Sequence, residues 1–120
     1  MLTIRQEQLL ALEAQANEAS EDRLARHAQR FFPTQVAALA EPDLLRYVRQ
    51  AVAAAQGHGF VTERDICKYL NLMLALGRDF DTAPWARTIL GAEHITGPTL
   101  RINRLYLKAI ELAEAEGTKP

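Results

Sequence analysis

Glycine and proline occur at only a few places in this chain, and the segments between them favour helices. Neither residue lies between Ile4 and Phe32. The chain contains 20 alanines, and Leu, Glu, Gln and Arg are also frequent. All five residue types have high helix propensity. No segment alternates apolar and polar residues for long enough to predict a strand. The sequence therefore predicts an all-α fold, a single compact domain of five or six helices with short connections over residues 1–120.

The first half of the chain predicts three helices. A Thr3-x-x-Gln6 capping box starts the first, and Pro33 ends it near Phe31 because proline disfavours helical geometry at the preceding residue. A short helix is expected over residues 34–40. The third begins near Pro42 and stops at the Gly57-His58-Gly59 segment, where one glycine takes the left-handed conformation.

The second half predicts three more helices. Thr62 caps the fourth, which ends at Gly77, and Asp81 or Thr82 caps a short fifth helix that carries Pro84 and ends at Gly91. The last helix is expected over residues 98–116. Apolar residues at helical spacing predict the core, in particular Leu45, Val48, Val52, Ile66, Leu70, Met73, Leu105 and Ile110.

Charge and cysteine content exclude several classes of protein. Fourteen basic residues balance 15 acidic ones, for a net charge of −1, so we expect no nucleic-acid partner. Cys67 is the single cysteine, which excludes an internal disulfide and a cysteine-based zinc site. No apolar run approaches the ~20 residues that span a bilayer. We therefore expect a soluble, cytoplasmic protein with no membrane partner.

No catalytic or metal-binding motif is evident. His27, His58 and His94 each stand alone, without a second histidine four residues away, so no metal or cofactor is predicted. His58, between two glycines, is interpreted as part of a solvated loop. Arg64 and Lys68 would lower the pKa of the Cys67 thiol if it were reactive, but a free cysteine is more often a small buried side chain. The prediction is that the chain is not an enzyme, with Cys67 or the Asp79/Asp81 pair as the weaker catalytic alternative.

The segment from Arg78 to Trp85 is the densest group of unusual side chains. It combines Arg78, Asp79, Phe80, Asp81 and Trp85, and loops carry function more often than helix interiors do. One hypothesis makes it a partner-binding loop, since Arg and Trp are enriched at interfaces. The alternative is a helix joint in which Phe80 fills the space between two helices and Trp85 anchors the core.

Phe31 and Phe32 form a second candidate for partner binding. Adjacent helical residues project about 100° apart, so both rings cannot face one narrow core stripe equally. We expect one of them to stay exposed or to cover a neighbouring helix. The alternative is that both belong to the core.

A helix-turn-helix DNA-binding regulator is the competing hypothesis for the whole chain. The turn before Thr62 has the character of that motif, and the following helix would offer Arg64, Lys68 and Asn71 to DNA. Asp65 lies among them, and few positive charges are nearby to contact phosphates.

A series of short motifs resembles a family of small bacterial accessory proteins. The motifs are Ile4-Arg5-Gln6-Glu7-Gln8 (displaced by one residue), Phe32-Pro33, Gly59-Phe60-Val61-Thr62-Glu63-Arg64-Asp65, Tyr69-Leu70-Asn71-Leu72-Met73, Gly77-Arg78-Asp79-Phe80-Asp81 and Pro84-Trp85-Ala86. They span nearly the whole chain. The resemblance implies an association with toxin effectors of the type VI secretion system. It also implies a non-enzymatic adaptor, chaperone or immunity-type protein whose partner is a toxin effector or secretion component encoded nearby.

Overall fold

The computed structural model describes the backbone of residues 6–39 and 41–117 and the side chains of residues 19–39 and 43–115. Within these residues the regular structure is helical throughout, with six α-helices, a short 3-10 turn and no strand. The helices are α1 (Gln6–Phe31), α2 (Pro33–Ala37), α3 (Glu41–Gly57), α4 (Glu63–Leu76), α5 (Pro84–Leu90) and α6 (Pro98–Gly117), and the 3-10 turn is Phe80–Thr82. The predicted all-α fold class is confirmed.

The chain forms two compact units, Met1–Arg49 and Gln50–Pro120, and the division falls inside α3. Each unit is described by itself below. The expectation of a single domain over residues 1–120 stays a prediction.

In the first unit, apolar side chains of α1 and of the start of α3 are buried, among them Leu24, Ala28, Leu44 and Val48. Glu21 Oε2 accepts a hydrogen bond from Arg49 Nε at 2.9 Å and so links α1 to α3.

The chain segment between α1 and α3 follows the predicted proline signal. α1 ends at Phe31 as expected, and α2 starts at Pro33 rather than Thr34 because proline fits the first helical position. α2 ends at Ala37, so it is shorter than predicted. The proposed cap at Thr3 and the predicted helix end at Ala40 lie outside the described residues.

In the second unit, the start and end of α4 match the sequence signals. Thr62 Oγ1 accepts a hydrogen bond from the backbone N–H of Asp65 at 3.2 Å. Gly77 ends the helix with φ at 106°, a conformation that other residues rarely adopt. Between these ends α4 buries Ile66, Tyr69 and Leu70, together with Leu72, Met73 and Leu74.

Helix α6 is joined to α4 by apolar packing and by two side-chain hydrogen bonds. Ile102 and Leu105 are completely buried. Lys68 Nζ donates to Asn103 Oδ1, and Asn71 Nδ2 donates to Tyr106 OH, each at 2.6 Å.

The expected core is confirmed at five of its eight positions, Val48, Ile66, Leu70, Met73 and Leu105. Leu45 and Val52 are half-buried. The prediction for Ile110 was wrong, because 54% of this residue is exposed. Leu105 is the last buried residue of α6 among those described, and Ile110 projects about 140° away from it around the helix.

Candidate functional site

Five side chains from three segments meet around Tyr69. His58 and Phe60 follow the end of α3, Tyr69 lies on α4, and Phe80 and Asp81 belong to the 3-10 turn. We call this group the Tyr69 cluster. The turn that presents His58 and Phe60 contains Gly59 with φ at 90°, and the backbone N–H of Phe60 returns to the carbonyl of Ala55 at 2.9 Å.

One carboxylate oxygen joins the polar members of the Tyr69 cluster. Tyr69 OH donates a hydrogen bond to Asp81 Oδ2 at 3.0 Å, and His58 Nε2 lies 3.0 Å from the same oxygen. The expectation that His58 is solvated in a loop is wrong, because the side chain is half-buried and paired with Asp81. The turn after α3 is thereby fastened to the segment between α4 and α5.

The aromatic members of the cluster extend this connection. The Tyr69 ring centroid lies 5.9 Å from that of Phe60 and 5.0 Å from that of Phe80. Phe80 in turn stacks against Trp85 at 6.5 Å. Distances of this size are typical of favourable aromatic pairs.

The surroundings of Tyr69 keep its hydroxyl protonated. Burial raises the pKa of Tyr69, and the hydrogen bond to Asp81 and the negative charge of that residue raise it further. Tyr69 is therefore a fixed donor to the carboxylate. A catalytic triad would need a nucleophile on the histidine, but in the described part of the chain His58 makes no hydrogen bond to a serine, threonine or cysteine. The geometry instead suits a structural connection between two loops.

The predicted partner-binding segment contains residues of two kinds. Phe80 is buried and Asp81 is bound within the Tyr69 cluster, as a helix joint requires. Trp85 is half-buried, whereas Arg78 and Asp79 are exposed. Partner binding at this segment stays a prediction, and its accessible part is reduced to Arg78, Asp79 and one side of Trp85.

The predicted cap of α5 is wrong. Ala83 occupies the N-cap position and makes no side-chain hydrogen bond there. Asp81 is taken up by His58 and Tyr69, and Thr82 Oγ1 donates to the carbonyl of Asp79 at 2.6 Å. Pro84, with its fixed φ, starts the helix without a capping side chain.

Phe31 and Phe32 do not share one environment. Phe31 is 58% exposed, and Phe32 is half-buried. The expectation that one of the two rings stays exposed is confirmed, and the alternative that both belong to the core is wrong. The guanidinium of Arg30 lies 5.1 Å from the Phe31 ring centroid. Binding of a partner by these rings stays a prediction.

Cys67 is half-buried on α4. Burial raises the pKa of its thiol, and the charge of Glu63 adds to this effect. The suggestion that Arg64 and Lys68 lower this pKa is wrong, because desolvation dominates and Lys68 is directed to Asn103.

On the helix that would contact DNA, two of the three expected DNA-contacting side chains are bound to α6. Lys68 and Asn71 are both hydrogen-bonded to α6, so of the three expected DNA-contacting side chains only Arg64 is exposed. No observation in the described residues favours this hypothesis.

Asp65 is a buried acid that the sequence reading placed on an accessible helix face. It is only 1% exposed, and its Oδ2 accepts a hydrogen bond from Thr99 Oγ1 at 2.9 Å. The spacing Thr62-x-x-Asp65 is similar to a capping box, in which the acid turns back toward the helix start, but here the carboxyl group of Asp65 binds Thr99. Asp65 therefore joins the first turns of α4 and α6.

The second half of α6 has apolar side chains on its surface. Leu107 is 63% exposed and Ile110 is 54% exposed, and residues 111–115 are also exposed. We call residues 107–115 the open end of α6. Of these residues Ile110 was expected in the core, and no role was predicted for Leu107, so the sequence did not indicate this surface.

A groove of about 280 Å³ lies between α5 and α6 at the beginning of this open end. Ile89, Ile95 and Leu107 provide apolar lining, His94, Arg104 and Lys108 provide basic groups, and Glu111 provides one acidic group. We call it the α6 groove. Arg101 holds the preceding loop to α6, since its Nη2 donates to the carbonyl of Ile95 at 3.0 Å.

No group of three His, Cys, Asp or Glu side chains among the described residues is placed to hold a metal ion. None of the described helices is long and apolar enough to cross a membrane.

Comparisons with known proteins add no assignment. No family model, curated protein or solved structure matches this chain. The resemblance to secretion-associated accessory proteins therefore stays a prediction from the motifs alone.

Proposed function

We propose that the chain is a non-enzymatic protein-binding module that docks a partner on the second half of α6. The observation that supports this most directly is the exposure of Leu107 and Ile110 on the same helix. Single exposed apolar residues are common on protein surfaces, whereas grouped ones mark interaction sites more often.

Helical geometry places these side chains together. With Leu100, which is 49% exposed, they project from α6 within an arc of about 80°. The α6 groove lies beside this stripe and adds a concave surface. A partner that covers the stripe would remove three large apolar side chains from water, which favours association.

The biological role that we propose follows from the sequence motifs. They suggest an adaptor, chaperone or immunity-type protein for a bacterial secreted toxin, in the context of type VI secretion. The partner would then be a toxin effector or secretion component encoded nearby.

The neighbouring gene product provides the direct test. We would co-express it with the full chain and measure co-elution by size-exclusion chromatography. Co-elution is expected for the wild-type chain and is expected to weaken in Ile110→Glu, which places a charge within the stripe. Val61→Glu is the matched control, because Val61 is 72% exposed and lies outside α6. A chain that elutes alone beside each neighbouring product would contradict the proposal.

The exposed part of the Arg78–Trp85 segment is the second candidate surface for the same function. Arg78→Ala should weaken partner binding with little change in melting temperature if this segment is an interface. Equal binding by the variant and the wild type, or a matching loss of binding and stability, would restrict the segment to its role as a helix joint.

A further inference from the structure

We infer that the α6 groove binds an acidic amphipathic helix of a partner protein. This inference rests on the proposed function and specifies the chemistry of the partner. It follows from the shape, the lining and the charge of the groove.

The shape of the groove is compatible with the side chains of a polypeptide. Its volume is about 280 Å³. It is lined by residues of α5 and α6 and shares Leu107 with the exposed stripe. An amphipathic helix fits such a surface by inserting its apolar anchors into the groove and laying the rest of its apolar face on the stripe.

The charge of the groove lining determines which charge the partner must carry. The charged side chains that line the groove are the basic residues Arg104 and Lys108 and the acidic residue Glu111. With His94 neutral, two positive charges against one negative charge give the lining a net charge of +1, in a chain whose net charge is −1. Complementary charge steers a partner and sets its orientation.

The basic groups at the groove are available to a partner carboxylate. Arg104 is exposed and makes no ion pair within the described residues. Lys108 contacts Glu111 at 3.5 Å, but Glu111 is 70% exposed, and exposed pairs of this kind contribute little. Lys108 can therefore exchange this carboxylate for one on the partner at small cost.

The apolar lining favours a peptide over a nucleic acid. Ile89 and Leu107 offer no hydrogen bond to a phosphate or a base edge, whereas they suit leucine-sized anchors. The apolar lining, with Arg104 and Lys108 beside it, matches a helix with leucines on one face and glutamates beside them.

Two synthetic peptides make the charge requirement measurable. Each would be a fluorescein-labelled helix of about 18 residues, with leucines at spacings of three and four and either glutamate or lysine at the flanking positions. We expect the glutamate peptide to bind the full chain at least about tenfold more tightly than the lysine peptide, by fluorescence anisotropy. Binding should weaken as salt is raised, because exposed charges are screened.

Matched variants locate the binding. Arg104→Glu and Leu107→Glu should each weaken binding of the glutamate peptide by about tenfold or more. The controls are Arg64→Glu and Val61→Glu, which make the same changes at exposed positions outside the groove. Both residues of the tested pair are exposed, and the fold of every variant is checked by thermal unfolding.

Several outcomes would overturn the inference. Equal affinity for the two peptides would contradict the requirement for an acidic partner. Equal losses of affinity in the tested and control variants would show that the peptide does not bind at the groove. Binding of a fluorescent oligonucleotide that Arg104→Glu abolishes, with no binding of the glutamate peptide, would assign the groove to nucleic acid.

A second copy of the chain is a rival occupant, because residues 6–22 contain five acidic residues and no basic one. Sedimentation experiments would test this alternative. A dimer that dissociates in Arg104→Glu would show that the groove binds a second copy of the chain and not a partner protein.

The inference and the proposed function fail separately. If the neighbouring gene product binds but Leu107→Glu does not weaken it, the groove assignment fails and the proposed function stands. If the glutamate peptide binds at the groove but no neighbouring product does, the assignment to a nearby partner fails and the groove stands.

Discussion

Helix α4 and the second half of α6 have the same kind of apolar stripe but opposite surroundings. On α4, Tyr69 and Leu70 are fully buried. On the open end of α6, Leu107 and Ile110 are mostly exposed. Helical periodicity thus identifies the apolar face of a helix, but neighbouring elements determine whether that face is covered.

The Arg78–Trp85 segment also shows that residue type alone does not tell whether a side chain is packed or accessible. This segment combines aromatic and charged residues that are typical of interfaces, yet Phe80 and Asp81 are engaged within the Tyr69 cluster. Conversely, Ile110 was expected in the core and lies at the surface. Residue type marked the Arg78–Trp85 segment as unusual, but only the contacts of each side chain distinguish packed residues from accessible ones.

The largest effect is expected for Leu70→Ala on α4. Leu70 is fully buried, and truncation leaves a cavity among its neighbours, so we expect a loss of about 2–5 kcal/mol in the free energy of unfolding. Denaturant unfolding should show a lower midpoint with an unchanged slope. A loss below about 0.5 kcal/mol would mean that the buried face of α4 is wrongly placed.

A smaller loss is expected for Tyr69→Phe. The variant keeps the ring that packs against Phe60 and Phe80 but removes the hydrogen bond to Asp81. We expect a loss of about 1.5–3 kcal/mol, which is the usual net contribution of a hydrogen bond to a charged group. The control is Tyr106→Phe. This variant also removes a half-buried tyrosine hydroxyl, which accepts a hydrogen bond from Asn71. A loss in Tyr69→Phe as large as that of Leu70→Ala would indicate that the ring has repacked.

The same hydroxyl predicts how stability depends on alkaline pH. The pKa of Tyr69 is raised in the folded chain, whereas an unfolded tyrosine titrates near pH 10. Above about pH 10 the unfolded state loses this proton first, so the contribution of Tyr69 is present below that pH and is lost as pH rises.

Burial raises the pKa values of Tyr106 and Cys67 as well, so they add to the alkaline loss with the same sign. We expect denaturant unfolding of Tyr69→Phe to show a shallower fall in stability between about pH 9 and 11 than the wild type does. Identical slopes would contradict the assignment of the raised pKa to Tyr69.

The sequence was sufficient for the features that depend on local chemistry. Proline and glycine positions located the ends of α1 and α4, and Thr62 was recognised as a cap. The site was harder because its contacts join distant segments, such as His58 to Asp81 across 23 positions. No local pattern records that pairing, so His58 was interpreted as solvated and Asp81 as a cap.

The smallest effect is expected for Ile110→Ala at the open end of α6. More than half of Ile110 is exposed, so truncation leaves no enclosed cavity, and alanine has a higher helix propensity than isoleucine. The change in the free energy of unfolding should stay within about 0.5 kcal/mol, measured as for Leu70→Ala. If Ile110→Ala is as destabilising as Leu70→Ala in the isolated chain, the stripe is covered in solution and the contrast with α4 disappears. A near-zero effect on the isolated chain, combined with weaker co-elution of the partner, is the result that only a binding surface produces.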